Sequence, residues 1–216
     1  DVLGSRGLGD VYKRQERIRD GLSCSCEIMR LDCYYFDQGG KPFEERTKVN
    51  YDSPKIFDFD EMLADIRLLL DGKPVTRKGY NYVEHRRDDS EELMYPPEVL
   101  IIEGIHVFYD DRICDAMNLK LFIKVDSDIC LLRRIARDMN ERGRSLESIS
   151  EQYKATVKPM REKYIDRYID KADVVVMRGG MNEQALKTTI SYLKSCVKEQ
   201  RLAESEKNES DGNDSE

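Results

Sequence analysis

Two acidic residues that follow apolar, strand-like segments carry the strongest chemical signal in this chain. Asp32 comes after the mostly apolar residues 26–31, and Glu103 ends the apolar run 99–103. Open parallel α/β sheets bind their ligands at the carboxyl ends of the strands. Carboxylates at that edge predict phosphoryl transfer, with Asp32 as catalytic base and with Glu103 and Asp32 beside a magnesium ion. The simpler alternative for Asp32 is that it caps a turn.

A dense group of arginines is the second signal, and it flanks a single glycine. The group consists of Arg133, Arg134, Arg137, Arg142 and Arg144. Residues three or four apart share one face of a helix, so Arg134 and Arg137 are neighbours if this segment is helical. Such a group is commonly a solvated face, and Asp138 can pair with part of it. The alternative is a cationic flap, hinged at Gly143, that closes over polyphosphate.

The third signal is an aromatic segment that ends in a histidine. Residues 79–85 read as a strand in which Tyr80, Tyr82 and Glu84 point to one face. Aromatic rings on one face of a hairpin can stack on a flat ligand, and His85 can then donate to a ring carbonyl. A lone exposed histidine more often has no such role. His106 follows an apolar run and is predicted to pack in the core.

Apolar periodicity predicts the elements that position these residues. Strands are predicted at residues 26–31, 80–83, 93–95, 98–103, 119–125 and 172–177, with 85–92 as a charged connection. Helices are predicted at residues 59–70, 127–142, from 145 toward Pro159 and on to 169, and 181–202, after the last turn of a helix at 16–20. This alternation predicts an α/β fold with a parallel sheet and right-handed crossovers.

Bulk composition excludes several broad classes. A chain of 216 residues fits one α/β domain. Its formal charge of −7 argues against a general nucleic-acid binder, which needs a basic face. The sequence has no apolar run near the roughly 18 residues of a membrane span. Its six cysteines form no C-x-x-C pair, so we expect reduced thiols in a cytoplasmic protein and no zinc site.

Both ends differ from the middle of the chain. Residues 198–216 are rich in Glu, Lys, Ser, Asn and Asp, which predicts a disordered acidic tail. Residues 1–15 lack apolar periodicity, and their glycines match neither a protein-kinase loop nor a phosphate-binding P-loop. We expect 1–15 to be a non-native or disordered segment; a genuine flexible terminus is the alternative. A single domain is then expected at 16–197.

Across residues 22–195 the motifs together resemble uridine–cytidine kinases of the phosphoribulokinase/uridine kinase group of P-loop kinases. The segments that carry this resemblance include Asp32-Cys33-Tyr34-Tyr35, Asn50-Tyr51-Asp52-Ser53-Pro54, Tyr80-Asn81-Tyr82-Val83-Glu84-His85, Ile102-Glu103-Gly104-Ile105, Arg133-Arg134-Ile135-Ala136-Arg137-Asp138 and Glu141-Arg142-Gly143-Arg144-Ser145. The resemblance implies a three-layer α/β sandwich built on a parallel sheet, with a β-hairpin over the substrate pocket.

The resemblance also implies a role for individual residues. It makes Asp32 the base for a nucleoside 5′-hydroxyl and Glu103 the magnesium-associated acid. The implied substrate-binding residues are Asp52 and Arg134 for the ribose hydroxyls, Tyr80 and His85 for the pyrimidine, and Tyr51, Tyr82, Arg144 and Gln152 around the pocket. The implied nucleotide-binding residues are Arg137 and Arg142 of the lid and Asn182, beside Gly179 and Gly180, at the nucleotide base.

The activity implied by the resemblance is transfer of the γ-phosphoryl group of ATP or GTP, with Mg²⁺, to uridine or cytidine. The family also implies pyrimidine salvage and a homotetramer. The chain departs from the family pattern in two places. It has no Gly-Lys-Ser or Gly-Lys-Thr triplet, so we expect the P-loop and its strand to be missing and the 216-residue chain to be inactive. Asn81 stands where an aspartate is common.

Two alternative functions remain at this stage. One is a phosphoribulokinase-like or pantothenate-kinase-like enzyme, although Tyr80 and His85 beside Asp52 favour a flat pyrimidine over a sugar phosphate. The other is a non-catalytic module that binds a nucleoside and has no P-loop.

Overall fold

The computed structural model describes residues 12–177 and 182–213. The strands are β1 (Cys26–Arg30), β2 (Val75–Asn81), β3 (Arg86–Met94), β4 (Val99–Glu103), β5 (Leu121–Ile123) and β6 (Val174–Val176). The helices are α1 (Tyr12–Gly21), α2 (Phe43–Arg46), α3 (Phe59–Leu70), α4 (Asp111–Asp115), α5 (Ser127–Asn140), α6 (Leu146–Gln152), α7 (Lys158–Lys163) and α8 (Glu183–Asn213). None of these helices has both the length and the apolar character that crossing a membrane requires.

The six strands form three pairs. β1 lies parallel to β4, with Cys26 opposite Val99 and Arg30 opposite Glu103. β5 lies parallel to β6, and β2 and β3 form an antiparallel hairpin. The α/β fold with parallel strands is therefore confirmed. Within residues 12–177 and 182–213, no strand joins the β1–β4 pair to the β5–β6 pair.

Helix α3 shows why the apolar spacing of this chain is informative. Its buried side chains are Phe59, Met62, Leu63, Ile66 and Leu69, which form one helical face against the main core. Asp58 caps the helix, because its side chain accepts a hydrogen bond from the Glu61 backbone N–H over 2.9 Å. The prediction of a helix at 59–70 is confirmed, and this helix packs beneath the segment that carries the first acid.

The hairpin is longer than the sequence predicted. β3 begins at Arg86, so the charged residues 85–92, which we expected to be a connection, are mostly strand. Opposite charges meet across the hairpin, with Arg77 opposite Glu92 and Lys78 opposite Glu91, and such pairs stabilise an antiparallel ladder. The turn itself occupies residues 82–85, and His85 has a positive φ of 51°.

Helical structure at both ends extends into segments for which the sequence predicted disorder. α8 runs to Asn213, so the residues from Lys198 that we expected in a disordered tail are helical. Val197 is buried, and Arg201 forms an ion pair with Glu98 at 2.6 Å, which anchors this part of the helix. At the other end α1 starts at Tyr12, before the predicted domain boundary at residue 16.

The predicted helix from residue 145 onward is divided into several pieces. α6 passes into a π-helical turn, Tyr153–Val157, before α7 begins. A 3-10 segment, Ile165–Lys171, follows α7. A π-helical turn shifts the side chains that follow it relative to a regular helix, and such turns occur frequently at functional sites. Here it carries Thr156 to the pocket described next.

Candidate active site

Asp32 lies in a 3-10 turn, Leu31–Tyr34, directly after β1. Its side chain is half-buried, and its Oδ2 accepts a hydrogen bond from the Tyr82 hydroxyl over 2.7 Å. The tyrosine comes from the turn of the hairpin, so the hairpin reaches over the end of the parallel strands. A carboxylate held in this way is oriented to accept a proton from a hydroxyl group bound in the same space.

Glu103 ends β4, the strand that pairs with β1, and is nearly buried. Its Oε1 lies 3.4 Å from Arg30 Nε, and its Oε2 accepts a hydrogen bond from Gln15 Nε2 over 3.0 Å. Among the described residues no group of three or more metal-type ligands occurs. Two carboxylates on adjacent strand ends nevertheless suit Mg²⁺, which proteins often hold through one or two carboxylates while waters and phosphates complete the shell.

Asp52 stands at the centre of a polar clamp. Its Oδ1 lies 3.4 Å from Arg134 Nη1, and its Oδ2 accepts a hydrogen bond from the Thr156 hydroxyl over 3.0 Å. Gln152 accepts a hydrogen bond from Arg134 Nη2 over 3.0 Å and another from Arg144 Nη1. A carboxylate flanked by a cation and a hydroxyl can accept two hydrogen bonds from a vicinal diol.

His106 holds the backbone of this clamp from inside the core. It is fully buried, with Nε2 2.8 Å from the carbonyl oxygen of Asp52 and Nδ1 2.9 Å from the Tyr168 hydroxyl. A carbonyl only accepts, so Nε2 carries the proton and Nδ1 accepts from Tyr168. Burial lowers the pKa of His106 to about 4 and keeps the ring neutral. The prediction of a packed core histidine is confirmed.

Aromatic rings line the space beside the clamp. Tyr51 stacks on His85, with ring centroids 5.0 Å apart and planes 24° apart. Tyr80 lies between Tyr35 and Tyr82, with centroid distances of 4.5 and 5.1 Å. The hydroxyl oxygens of Tyr51 and Tyr80 are buried close to each other and have no other hydrogen-bond partner among the described residues, so a ligand with polar groups on a flat ring can add a partner to this pair.

The His85 ring is held in its neutral form. Burial lowers its pKa first, and the nearby charges of Arg142, Arg144 and Arg46 lower it further. A neutral imidazole offers one N–H donor and one acceptor, which matches the edge of a pyrimidine better than an imidazolium does. The left-handed backbone of His85 lies in the hairpin turn, so the ring projects beside Tyr51 and not along the strand.

The arginine group is not a solvated face. Asp138 is fully buried, and four of the arginines surround its carboxylate. The ion-pair distances to Asp138 are 3.6 Å from Arg134, 2.7 Å from Arg137, 3.2 Å from Arg142 and 3.5 Å from Arg144. The Arg142 guanidinium also lies 5.5 Å from the centroid of the Tyr82 ring. The cationic group therefore contacts both the clamp and the hairpin that holds Asp32.

Comparisons with known proteins identify the family. The model of the Phosphoribulokinase / Uridine kinase family matches residues 23–185. A uridine kinase of Ligilactobacillus salivarius is 41% identical over 197 residues, which is 91% of this chain and 92% of that protein. The chain belongs to the phosphoribulokinase/uridine kinase family.

Other members support this assignment at the levels of sequence and fold. A uridine kinase of Streptococcus gordonii is 44% identical over 93% of this chain and 95% of its own length. The phosphoribulokinase from Rhodobacter spheroides superimposes with a TM-score of 0.62 over 81% of this chain and 67% of its own, at 13% identity. The second match shows a shared fold, and the family to which this chain belongs is one of kinases with a nucleotide phosphoryl donor.

The structure brings most of the predicted site residues of this family member together. Asp32 and Tyr82 are in contact, as are Asp52, Arg134, Gln152 and Arg144. Asn182 is not in these contacts. It directly precedes α8, where its Oδ1 accepts a hydrogen bond from the Ala185 backbone N–H over 3.0 Å. Gly179 and Gly180 lie outside the described residues.

Three residues at the site were not predicted as functional. Thr156 reaches Asp52 because the π-helical turn carries it there, and no family segment pointed to it. Asp138 was noted only as a partial partner for the arginines. His106 was predicted to pack in the core and not to support Asp52. The available signals were the spacing of four between Gln152 and Thr156 and the acid that directly follows Arg137.

Proposed function

We propose that this chain carries the nucleoside site and the lid of a uridine–cytidine kinase. The reaction is transfer of the γ-phosphoryl group of ATP or GTP to the 5′-hydroxyl of uridine or cytidine, in pyrimidine salvage. The observation that carries the proposal is Asp52, held between Arg134 and Thr156 and next to the stacked rings of Tyr51 and His85. This arrangement suits a vicinal diol attached to a flat base.

In the proposed mechanism the nucleoside enters with its ribose toward Asp52 and its base toward Tyr80 and His85. Asp32 accepts the proton of the 5′-hydroxyl as that oxygen attacks the γ-phosphorus, and the bond from the γ-phosphorus to the β-phosphate oxygen breaks to release the nucleoside diphosphate. Arg137, Arg142 and Arg144 neutralise charge on the transferring group, and Asn182 contacts the donor's base. Glu103 and Asp32 would hold a bound Mg²⁺, which would supply neutralisation of part of the charge of the donor phosphates.

We further propose that the 216-residue chain alone transfers little or no phosphate. Its sequence contains no Gly-Lys-Ser or Gly-Lys-Thr triplet, and the lysine and backbone amides of that loop supply much of the charge stabilisation in such enzymes. The proposal also places the enzyme in the cytoplasm as a homotetramer, as the family resemblance implies.

Calorimetry on the 216-residue chain tests substrate binding without requiring catalysis. We expect uridine and cytidine to bind and ribulose 5-phosphate not to compete with them. Asp52→Asn, which keeps the shape of the clamp but not its charge, is expected to weaken uridine binding about tenfold, or about 1.4 kcal/mol. Competition by ribulose 5-phosphate, or absence of heat with both nucleosides, would overturn the proposed substrate.

A turnover assay tests the second proposal. With labelled ATP, Mg²⁺ and uridine, the 216-residue chain is expected to produce no label in uridine monophosphate above background. A version that begins with the glycine-rich segment of a uridine kinase relative is expected to produce it. Comparable turnover by the two proteins would show that the motif is not needed here.

A further inference from the structure

A carboxylate that the proposed chemistry does not use lies at the centre of a dense cluster of charged side chains in the described structure. Asp138 is 0% exposed, and Arg137, its neighbour on α5, is 9% exposed. An isolated carboxylate is costly to bury, and it persists inside a protein only with cationic or hydrogen-bonding partners. Four guanidinium groups supply those partners here.

The four arginines come from two parts of the chain. Arg134 and Arg137 lie on α5, whereas Arg142 and Arg144 lie in the connection between α5 and α6. Arg137 Nε donates a hydrogen bond to Asp138 Oδ1 over 2.8 Å. The backbone N–H of Arg144 donates to the Asp138 carbonyl over 3.0 Å, so Asp138 fixes both the main chain and the side chains of this connection.

Crowding four cations has an electrostatic cost that one central anion offsets. Burial and the charge of Arg142 lower the pKa of Arg137, and Asp138 acts in the opposite direction. The group of four arginines and Asp138 keeps a formal excess of three positive charges. Such an excess suits a polyphosphate, while the central carboxylate holds the guanidinium groups in place before any ligand arrives.

One oxygen of Asp138 is not fully engaged. Oδ2 and Arg134 Nε are both buried without a hydrogen-bond partner among the described residues, and they lie 3.6 Å apart. Arg144 Nη1 lies 3.5 Å from the same oxygen. These distances exceed those of good charge-assisted hydrogen bonds, so a displacement of less than 1 Å would let the two arginines close on Asp138.

We propose that Asp138 is a positioning residue that pre-assembles Arg134, Arg137, Arg142 and Arg144 for substrate binding and phosphoryl transfer. This inference rests on the proposed function and assigns the arginines' geometry to one internal anion. Through Arg134 it fixes the clamp on Asp52, and through Arg142 it fixes the cation that lies over the Tyr82 ring. Asp138 itself touches neither substrate nor donor.

Binding of a neutral and an anionic ligand to Asp138→Asn separates positioning from general destabilisation. Uridine is neutral and depends on the pre-formed clamp, so its affinity is expected to fall about tenfold. In this variant the arginine group gains one unit of net positive charge, which attracts inorganic triphosphate, but the guanidinium groups are less well ordered, which weakens binding. The affinity for inorganic triphosphate is therefore expected to stay within about threefold of that of the unaltered chain. The matched control is Asp128→Asn, an exposed acid on the same helix, which should leave both affinities unchanged.

Side-chain nitrogen NMR gives a readout that needs no ligand. In the unaltered chain the Nε–H of Arg137 is expected to be protected from exchange with water, and Asp138→Asn should abolish that protection. If Asp138→Asn does not fold, Asp138→Glu keeps the charge but displaces it by one methylene, and uridine affinity should still fall at least about threefold.

Several results would overturn the role of Asp138. They are uridine affinity unchanged in a folded Asp138 variant, equal losses for uridine and triphosphate, or retained protection of the Arg137 Nε–H in Asp138→Asn. Failure of the unaltered chain to bind uridine would instead count against the proposed function, and the arginine spectra would still decide the role of Asp138.

Discussion

The Tyr82 hydroxyl donates a hydrogen bond to Oδ2 of Asp32 over 2.7 Å, which ties the hairpin turn to the end of β1. The same ring has the Arg142 guanidinium 5.5 Å from its centroid. Tyr82 therefore contacts the proposed base on one side and the arginine group on the other. The sequence predicted this tyrosine only as an aromatic wall of the pocket, and its hydroxyl has a separate task.

Removing that hydroxyl tests whether it holds the base. In an enzyme completed with a glycine-rich phosphate-binding segment, Tyr82→Phe is expected to lower kcat about tenfold, because a hydrogen bond to a charged group contributes about 1.5–3 kcal/mol. The ring remains, so KM for uridine should change less than kcat. Steady-state kinetics with Tyr95→Phe, an exposed tyrosine, as control would refute the role of the hydroxyl if both variants matched the parent.

The sequence was most informative where local pattern and packing agree. The apolar spacing of Met62, Leu63, Ile66 and Leu69 was sufficient to define that helix from Phe59 to Leu70, and the structure adds that Asp58 caps it. A mostly apolar segment likewise located β1, and an unbroken apolar run located β4, and hence Asp32 and Glu103. In these segments each residue's position follows from neighbours three to five residues away, which a single sequence displays.

The sequence was least informative where a partner lies far along the chain. The charged residues of β3 are strand because β2 places Arg77 and Lys78 opposite Glu92 and Glu91. Thr156 reaches Asp52 across 104 residues, and that contact depends on a π-helical turn. Periodicity of hydrophobic residues contains no information about either contact.

Thr156 gives the second prediction, which concerns recognition of the ribose. Its hydroxyl lies 3.0 Å from Asp52 Oδ2 and 3.1 Å from the Gln152 carbonyl, and one hydrogen is shared between these acceptors. Thr156→Val keeps the shape but removes the donor, which leaves Asp52 less firmly oriented. We expect uridine affinity to fall about fivefold, equivalent to about 1 kcal/mol.

Calorimetry with uridine and 2′-deoxyuridine measures this effect. The loss should be smaller for 2′-deoxyuridine, which offers only one hydroxyl to Asp52. Thr156→Ser retains the hydroxyl and serves as the matched control, with expected affinity close to that of the parent. Equal binding of uridine by the valine and serine variants would show that the hydroxyl does not support the clamp.

His106 gives a prediction about stability and pH. Its folded-state pKa is about 4, below the ordinary value of 6.5, because the ring is buried. The unfolded chain therefore binds a proton at higher pH than the folded chain does. The contribution of the neutral His106 ring to the free energy of unfolding is fully present above pH 6.5. It is lost as the pH falls toward 4, and the loss amounts to about 3 kcal/mol in total.

Urea unfolding at several pH values measures this loss. His106→Gln removes the titrating ring, so its stability should fall less steeply with acid between pH 6.5 and 4, although it starts lower because two buried hydrogen bonds are altered. His85 also has a lowered pKa and contributes with the same sign, so His85→Gln is the informative comparison. A parent and a His106 variant with parallel pH dependence would contradict the assignment.

Gly104 directly follows Glu103, the acid proposed to hold Mg²⁺, and gives the last prediction. Its φ is 156°, and a Cβ at this position would lie 2.4 Å from Leu31 Cβ, a contact that side chains cannot make. Leu31 is fully buried beside Asp32. Neither the Leu31 side chain nor the added Cβ can therefore move aside without disturbing Asp32 and Glu103. We expect Gly104→Ala to lower the free energy of unfolding by about 2–4 kcal/mol, through overpacking and backbone strain.

Gly40→Ala, where a Cβ has nothing within 4 Å, should change it by less than about 1 kcal/mol, and urea titration of the two variants distinguishes them. Similar stabilities would mean that the ends of β1 and β4 do not approach as closely as the structure has them, and the pairing of Asp32 with Glu103 around a metal would lose its basis.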